Sequence, residues 1–365
     1  MPSDLLYKIA LTHIPKIGAI LARELVAHCG SAAAIFSERR SNLLKVPGVG
    51  NAAAASISGF RNFERAEREI EFIEKHSIKP LFYLDDDYPF RLSRIRDAPV
   101  ILYYKGSSDL NATQVVGVVG TRKPSEYGLG VLSNLIEELQ VTDALVISGL
   151  AYGIDIAAHR AALRCGLTTV GVLGSGLNRI YPSQHRNTAR RMIDQGGLLT
   201  EFGHDVKADR EHFPMRNRII AGICDALVVV ESDQRGGSMI TADLANGYHK
   251  DVFAVPGRVG EKTSRGPNFL IQSNRAHLLT SGQELIKMMN WQKNESRPPQ
   301  LEIFQNLDDQ EEAIYAQIPR QDAVSIDLLF RSSSLSPSQL AGILLNLEFK
   351  GLIRTLPGKL YRRCS

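Results

Sequence analysis

The sequence predicts an α/β protein: a Rossmann-like, doubly wound, mostly parallel sheet, flanked by an N-terminal helical (helix-hairpin-helix or SAM-like) domain and a C-terminal winged helix. Three observations predict it. Six apolar runs recur between residues 115 and 255, most of them separated by helix-like patterns. These runs are apolar throughout rather than alternating, as strands covered on both faces require. The loops after them carry glycine, serine and arginine, at the strand ends where open α/β sheets build their ligand sites.

Residues 1–78 read as helical: they are Ala-rich, with apolar residues three and four apart, as in Glu64–Lys75. They hold an internal repeat. Ile14-Pro15-Lys16-Ile17-Gly18 and Val46-Pro47-Gly48-Val49-Gly50 share the pattern apolar-Pro-x-apolar-Gly, each ahead of an Ala-rich helix, and the first copy lacks the second glycine. Two such units are similar to paired helix-hairpin-helix motifs, whose turn amides hold DNA phosphate. Two αα-hairpins that only pack together fit the pattern too.

A connector, Leu81–Lys105, follows with short β-like runs, the acidic Asp85–Asp87 and Tyr88-Pro89. The six apolar runs are Val115–Val119, Ala144–Ile147, Thr169–Leu173, Leu198–Thr200, Ala226–Val230 and Val252–Val255. Right-handed crossovers between parallel strands make the doubly wound fold. The α/β domain is assigned to residues 79–290, a polar linker to 291–300 and the winged helix to 301–365. Residues 301–330 hold seven acidic residues against Arg320, and residues 331–365 hold six basic residues against Glu348. Ser336-Pro337 starts a helix with an apolar face of Leu340, Leu344 and Leu347, and Gly351 stops it. Leu352–Thr355 and Leu360–Arg363 then flank Pro357-Gly358 as a hairpin.

Composition narrows the function classes. The chain has 365 residues, 44% of them apolar, and a formal charge of +4, which permits an anionic partner without requiring one. Cys29, Cys165, Cys224 and Cys364 stand far apart with no CxxC pair, which argues against zinc and a disulfide framework and fits a reducing cytoplasm. The N-terminus has no signal-peptide pattern, and no apolar stretch is long enough to span a bilayer, so no membrane association is expected. Neither GxGxxG nor GxxxxGK[ST] is present, and Ser238 lies in no GxSxG elbow. No cofactor, metal or catalytic residue is therefore expected. Asp155 and His159, four apart on a predicted helix, are read as a helix cap and a packed histidine, because no third ligand stands near them.

The loops carry the functional signal. They read GTRKPSEYG after the first run, SGLAYGIDIAAHRAAL after the second, GSGLNRIYP after the third, then LLTEF, FPMRNRIIAG, GGSMITA and FAVPG. Glycine amides at helix starts hold phosphates, and arginine supplies neutralising charge. This ordered set resembles the DNA-processing protein A (DprA/Smf) family over nearly the whole chain. The resemblance implies single-stranded DNA binding without turnover, protection of incoming DNA, loading of a RecA-type recombinase in natural transformation, and a homodimer formed through the α/β domain. It also implies site residues. Arg122 and Arg210 are phosphate contacts, with Lys123 and Gly149 beside them, and Phe213 is a base-stacking platform. Arg216, Asn217 and Arg218 shape the loop or meet the backbone. Gly236, Gly237 and Ser238 offer amides and a hydroxyl. Arg179 and Tyr152 complete the set, although Tyr152 stands where the family pattern SGLA(R/K)GID has a basic residue. A tyrosine there removes a charge and offers a ring for stacking.

Two other readings compete. Lysine-decarboxylase-like nucleoside-monophosphate phosphoribohydrolases share a Rossmann-like core and a PGGxGT-type loop with a nearby glutamate. Here the loop is RGGSMITAD, without the proline, and Asp243 is its first carboxylate. The third reading is a duplex-DNA regulator acting through residues 331–363, whose recognition helix would present Ser338, Gln339 and Asn346.

Overall fold

The computed structural model describes residues 4–291, 307–319, 323–333, 335–350, 352–356 and 358–363. Residues Met1–Asn294 form one compact unit and Glu295–Ser365 a second. The linker reading beyond Trp291, and the roles given to Arg320, Gly351, Pro357 and Cys364, lie outside the described residues.

Six helices open the first unit: α1 (Asp4–Thr12), α2 (Ala19–Cys29), α3 (Ala32–Ser37), α4 (Arg40–Leu43), α5 (Asn51–Ser58) and α6 (Glu64–Lys75). The repeat has one geometry used twice. Lys16 and Gly48 both take left-handed backbone at φ 69° and 83°. Gly18 and Gly50 both cap the following helix in extended conformation, at φ −86° and −84°. Ile14 and Ile17 are buried in the first copy, as Val46 and Val49 are in the second. The missing glycine is thus Lys16, a side chain held at positive φ at a cost of about 1 kcal/mol. The helical core continues without a break into the first strands, because Leu25, Ile35 and Ile73 share one cluster with Phe82, Ile101 and Tyr103.

The rest of the unit is β1 (Lys79–Phe82), α7 (Phe90–Ser93), β2 (Ile101–Gly106), β3 (Val115–Val119), α8 (Glu126–Glu138), β4 (Leu145–Gly149), α9 (Ile154–Arg164), β5 (Thr169–Val172), α10 (Arg186–Gln195), β6 (Gly196–Thr200), α11 (His212–Ile223), β7 (Ala226–Val229), α12 (Gly237–Gly247), β8 (Asp251–Ala254), α13 (Arg265–Gln272), β9 (His277–Leu278) and α14 (Gly282–Met288). The strands lie in the order β1-β2-β6-β5-β4-β3-β7-β8-β9. From β6 to β9 all pairs are parallel, and β2 joins β6 antiparallel with β1 beyond it. All six predicted runs are strands. Their unbroken apolarity has the anticipated cause: Val115, Val119, Leu227 and Val229 pack with Ile219, Ile220 and Ala242 on one face, while Val116, Val118, Ala226 and Val228 pack with Leu132, Leu135 and Ala158 on the other.

The second unit contains α15 (Asp309–Gln317), β10 (Val324–Ser325), α16 (Ile326–Ser332), α17 (Pro337–Phe349), β11 (Ile353–Leu356) and β12 (Leu360–Arg363), with sheet order β10-β12-β11. This is a winged helix. Ser336 caps α17 in a reciprocal capping box with Gln339, and Pro337 occupies the first turn. Leu340, Leu344 and Leu347 are buried against Ile314, Leu329 and Ile353. Gly358 and Lys359, both at positive φ, turn the wing.

Candidate nucleic-acid interface

Strand order reverses between β3 and β7, and their outgoing loops part toward opposite faces, leaving a crevice at the carboxyl ends. A cleft of about 300 Å³ fills that place. Gly120, Thr121 and Arg122 after β3 line it, with Ala151 and Asp155 after β4, Phe213, Arg216 and Asn217 of α11, and Gly236, Gly237 and Ser238 at the start of α12. Gly236 caps α12 with extended backbone and no side-chain hydrogen bond. Gly237 and Ser238 at this uncapped helix start line the cleft, where backbone amides suit an anion, while the Met239 amide already donates to the Gly236 carbonyl at 3.0 Å.

Arg216 forms the floor. It is 5% exposed, Nη1 donates to the Val172 carbonyl at 3.0 Å, and the same nitrogen lies 3.9 Å from Asp155 Oδ2. Its Nε is buried without a hydrogen-bond partner. Burial pushes the Asp155 carboxyl up and the Arg216 guanidinium down, and each charge opposes the other's shift. Gly149 makes room for the pair, because a Cβ there would overlap the Arg216 guanidinium and the Asp155 carboxylate. The cap assignment of Asp155 is corrected: Gly153, at φ 80°, caps α9, and Asp155 in the first turn faces Arg216. His159 is the packed residue expected. It is fully buried, Nε2 donates to the Gly149 carbonyl at 2.6 Å, Nδ1 meets Thr169 Oγ1 at 2.7 Å, and burial brings its pKa down to about 4.

Arg122 stands exposed on the rim with its guanidinium 5.4 Å from the centre of the Phe213 ring, so Phe213 borders the cleft instead of the core. No ion pair engages Arg122 or Arg210 among the described residues. Lys123 is exposed on the same loop, its amide held by Thr121 Oγ1 at 3.2 Å. Asn217 Nδ2 donates to the Gly237 carbonyl at 3.5 Å and ties α11 to α12. Ser238 Oγ donates to Ser232 Oγ at 2.7 Å. Arg210 is exposed in the turn just ahead of α11, three residues before Phe213, and is not part of the cleft lining. Arg179 is exposed on the loop after β5, also outside the lining. Tyr152 lies on the border of a smaller adjoining pocket.

Arg218 does not join this group. Its guanidinium pairs with the Glu201 carboxylate and donates to the Asp97 carbonyl at 2.8 Å, fastening α11 to the connector. Burial drives the Glu201 pKa up to about 7 although Arg218 opposes the shift. Three residues of the site escape the sequence reading. Asp155 reads there as a cap. Tyr181 borders the smaller pocket and is visible in the sequence only as part of GSGLNRIYP. Glu231, 4% exposed, accepts from Ser125 N at 2.8 Å and Ser125 Oγ at 2.6 Å, locking the loop after β3 to the end of β7. Asp243 is paired with Arg275.

Comparisons with known proteins agree with this architecture. The sequence model of the DNA recombination-mediator protein A family matches residues 79–290, and that of the DprA winged helix domain matches residues 296–359. The DNA processing protein DprA of Streptococcus pneumoniae is 41% identical over 64% of this chain and 84% of its own. Protein Smf of Synechocystis sp. is 29% identical over 99% of both chains. The crystal structure of the S. pneumoniae protein superposes with a TM-score of 0.66 at 33% identity, covering 77% of this chain and 97% of that one. The Helicobacter pylori DNA processing protein A, whose structure describes a single-stranded DNA binding mode, superposes with a TM-score of 0.54 at 28% identity over 60% of this chain and 97% of that one. With matching sequence models over both the α/β and the winged-helix regions, the chain belongs to the DNA-processing protein A (DprA/Smf) family.

Proposed function

We propose that this protein binds single-stranded DNA along the cleft at the sheet's switch point and performs no covalent chemistry on it. The observation that carries this reading is the convergence of Arg122, the buried Arg216, the uncapped start of α12 and the Phe213 ring on one cleft. Arginine and amide donors track a phosphate backbone, and an aromatic face accepts any base, so affinity comes without sequence preference. Arg210, exposed near the same end of α11, extends the basic surface. The single-stranded DNA binding described for the H. pylori relative supports the reading.

In the cell the bound strand would be incoming DNA in natural transformation, protected and passed to a RecA-type recombinase, with the protein acting as a cytoplasmic homodimer. Among the described residues no helix is long and apolar enough to cross a membrane. The phosphoribohydrolase alternative gains nothing from the site, because Asp243 is engaged by Arg275 and Glu231 by Ser125. Nor does the winged helix favour duplex recognition. Helix α17 carries no lysine or arginine, and Arg363 in the wing stacks on Tyr315 at 4.2 Å.

Gel shifts of single- and double-stranded oligonucleotides at several salt concentrations, alongside light scattering, test the proposal. Strong, salt-sensitive preference for the single strand is expected. Equal or salt-insensitive binding would overturn it.

A further inference from the structure

Loop 201–211 joins β6 to α11, contains no helix or strand, and carries Arg210 just ahead of Phe213. One face of α6, far away in sequence, takes hold of it. Arg65, Glu69 and Phe72 are spaced four and three residues apart, so they share a side of that helix. Each of them meets His204 or Asp205 of the loop. We infer that this face of α6 is a clasp that positions the loop for single-stranded DNA, presenting Arg210 to a phosphate before the strand arrives. The inference rests on the single-stranded DNA reading above and assigns positioning residues outside the cleft lining to it.

The contacts fix the loop in one shape. Glu69 is 4% exposed, and its carboxylate accepts from the His204 amide at 2.8 Å and from His204 Nδ1 at 2.7 Å. A buried carboxylate needs such donors, and both of these belong to the loop. Arg65 grips Asp205 twice, with Nε donating to Oδ2 at 3.0 Å and Nη2 to Oδ1 at 3.1 Å. A paired fork sets orientation as well as distance. The Phe72 ring stacks on the His204 imidazole at 4.8 Å and 19°. Gly203 lets the backbone pass this close, since a Cβ there would come within 2.7 Å of Glu69 Oε2.

Beyond the clasp, the loop is tied to the DNA site. Gly176 N donates to the Val206 carbonyl at 3.0 Å, His212 Nδ1 donates to the Lys207 carbonyl at 3.1 Å, and the Phe202 and His212 rings stack at 4.4 Å. The helical domain does not need the clasp to stay in place, because its core already runs unbroken into Phe82, Ile101 and Tyr103. The Arg65 and Asp205 side chains are 36% and 46% exposed, where an ion pair adds little to stability. What the clasp determines is the shape of the loop. A loop ordered beforehand spares the incoming strand that cost.

The test is fluorescence anisotropy of the full chain with an oligothymidylate at several salt concentrations. Glu69→Ala and Arg65→Ala are each measured alone and with Arg210→Ala, with thermal melts alongside. Glu69→Ala should weaken binding about 2- to 10-fold, the cost of immobilising one long side chain on the strand. The slope of log K against log salt should stay unchanged, because Arg210 still reaches its phosphate. Arg65→Ala should weaken binding by less. One variant makes the chain more positive and the other less, so altered charge alone would move the two in opposite directions. Neither should weaken binding further once Arg210 is alanine. In both, the amides of residues 203–211 should exchange faster in the free protein and regain wild-type protection on DNA. Wild-type affinity in both folded variants, shifts of opposite sign, or the same fold-loss with and without Arg210 would overturn the inference. Should Glu69→Ala not fold, Arg65→Ala decides by the same criteria. Loss of binding in Arg210→Ala with none in the clasp variants removes only the clasp, whereas no binding by the wild type removes the single-stranded DNA reading and the clasp with it.

Discussion

Replacing Gly149 by alanine tests how the cleft floor is built. The substitution is conservative in a strand, since alanine adopts extended backbone readily. The problem is space: the new methyl group would occupy the position of the Arg216 guanidinium and touch the Asp155 carboxylate. Arg216 must leave, giving up its bond to Val172 and its place opposite Asp155, or the end of β4 must shift. Either way a buried charge loses its partner, which costs about 3 to 5 kcal/mol. For a compact unit of this size that is a melting-temperature drop of roughly 5 to 8 °C. Differential scanning calorimetry measures it directly, and single-stranded DNA affinity should fall in parallel. In an Arg216→Met background the penalty should shrink sharply, because the main obstacle has gone. A Gly149→Ala protein that melts with the wild type, or a penalty unchanged by Arg216→Met, would refute the reasoning.

Other expectations follow from the same geometry. Glu231→Ala removes the acceptor of both Ser125 bonds and should cost about 3 kcal/mol in a thermal melt while loosening the Arg122 loop. The pH dependence of stability includes two large opposing parts, with His13, lowered by burial to about 4, adding to the second. Glu201 is raised to about 7, so its contribution is full below its ordinary value and is lost as pH rises through 7. His159 is lowered to about 4, so its contribution is full above its ordinary value and is lost as pH falls through 4. Each is worth roughly 3 kcal/mol and they oppose one another between pH 4.5 and 6.5. Glu201→Gln removes the first alone, so its urea midpoint should rise with pH over that window more steeply than that of the wild type; parallel curves would contradict this. Ser336→Ala breaks the capping box of α17 and should cost about 1 kcal/mol, seen as faster amide exchange in that helix's first turn.

The six central strands were legible because helices cover both faces of the sheet, and such strands leave an unbroken apolar signature. Strands β1 and β2 read only as short β-like runs in a connector, since four to six residues beside Asp85–Asp87 and Tyr88-Pro89 carry little pattern. Strand β9 has two exposed residues and no signature at all. The loops placed Arg122, Phe213, Gly236 and Gly237 at one edge because topology alone puts strand ends there. What failed was orientation within a helix. Arg216 and Arg218 are two residues apart on α11, about 200° around its axis, and cannot both face the cleft. One lines it and the other grips Glu201. The Asp155–Arg216 pairing spans 61 positions and joins α9 to α11. No periodicity reports such a contact, and the neighbouring His159, four residues on, drew attention to the wrong partner.

The most direct test of the account is the salt dependence of single-stranded DNA binding in wild type and in the Arg122→Ala, Arg210→Ala double variant. If both charges meet phosphate as proposed, removing them should reduce the slope of log K against log salt by about 1.4 and abolish most affinity at physiological ionic strength. A folded double variant with the wild-type slope and affinity would contradict the claim that this rim of the sheet holds the strand.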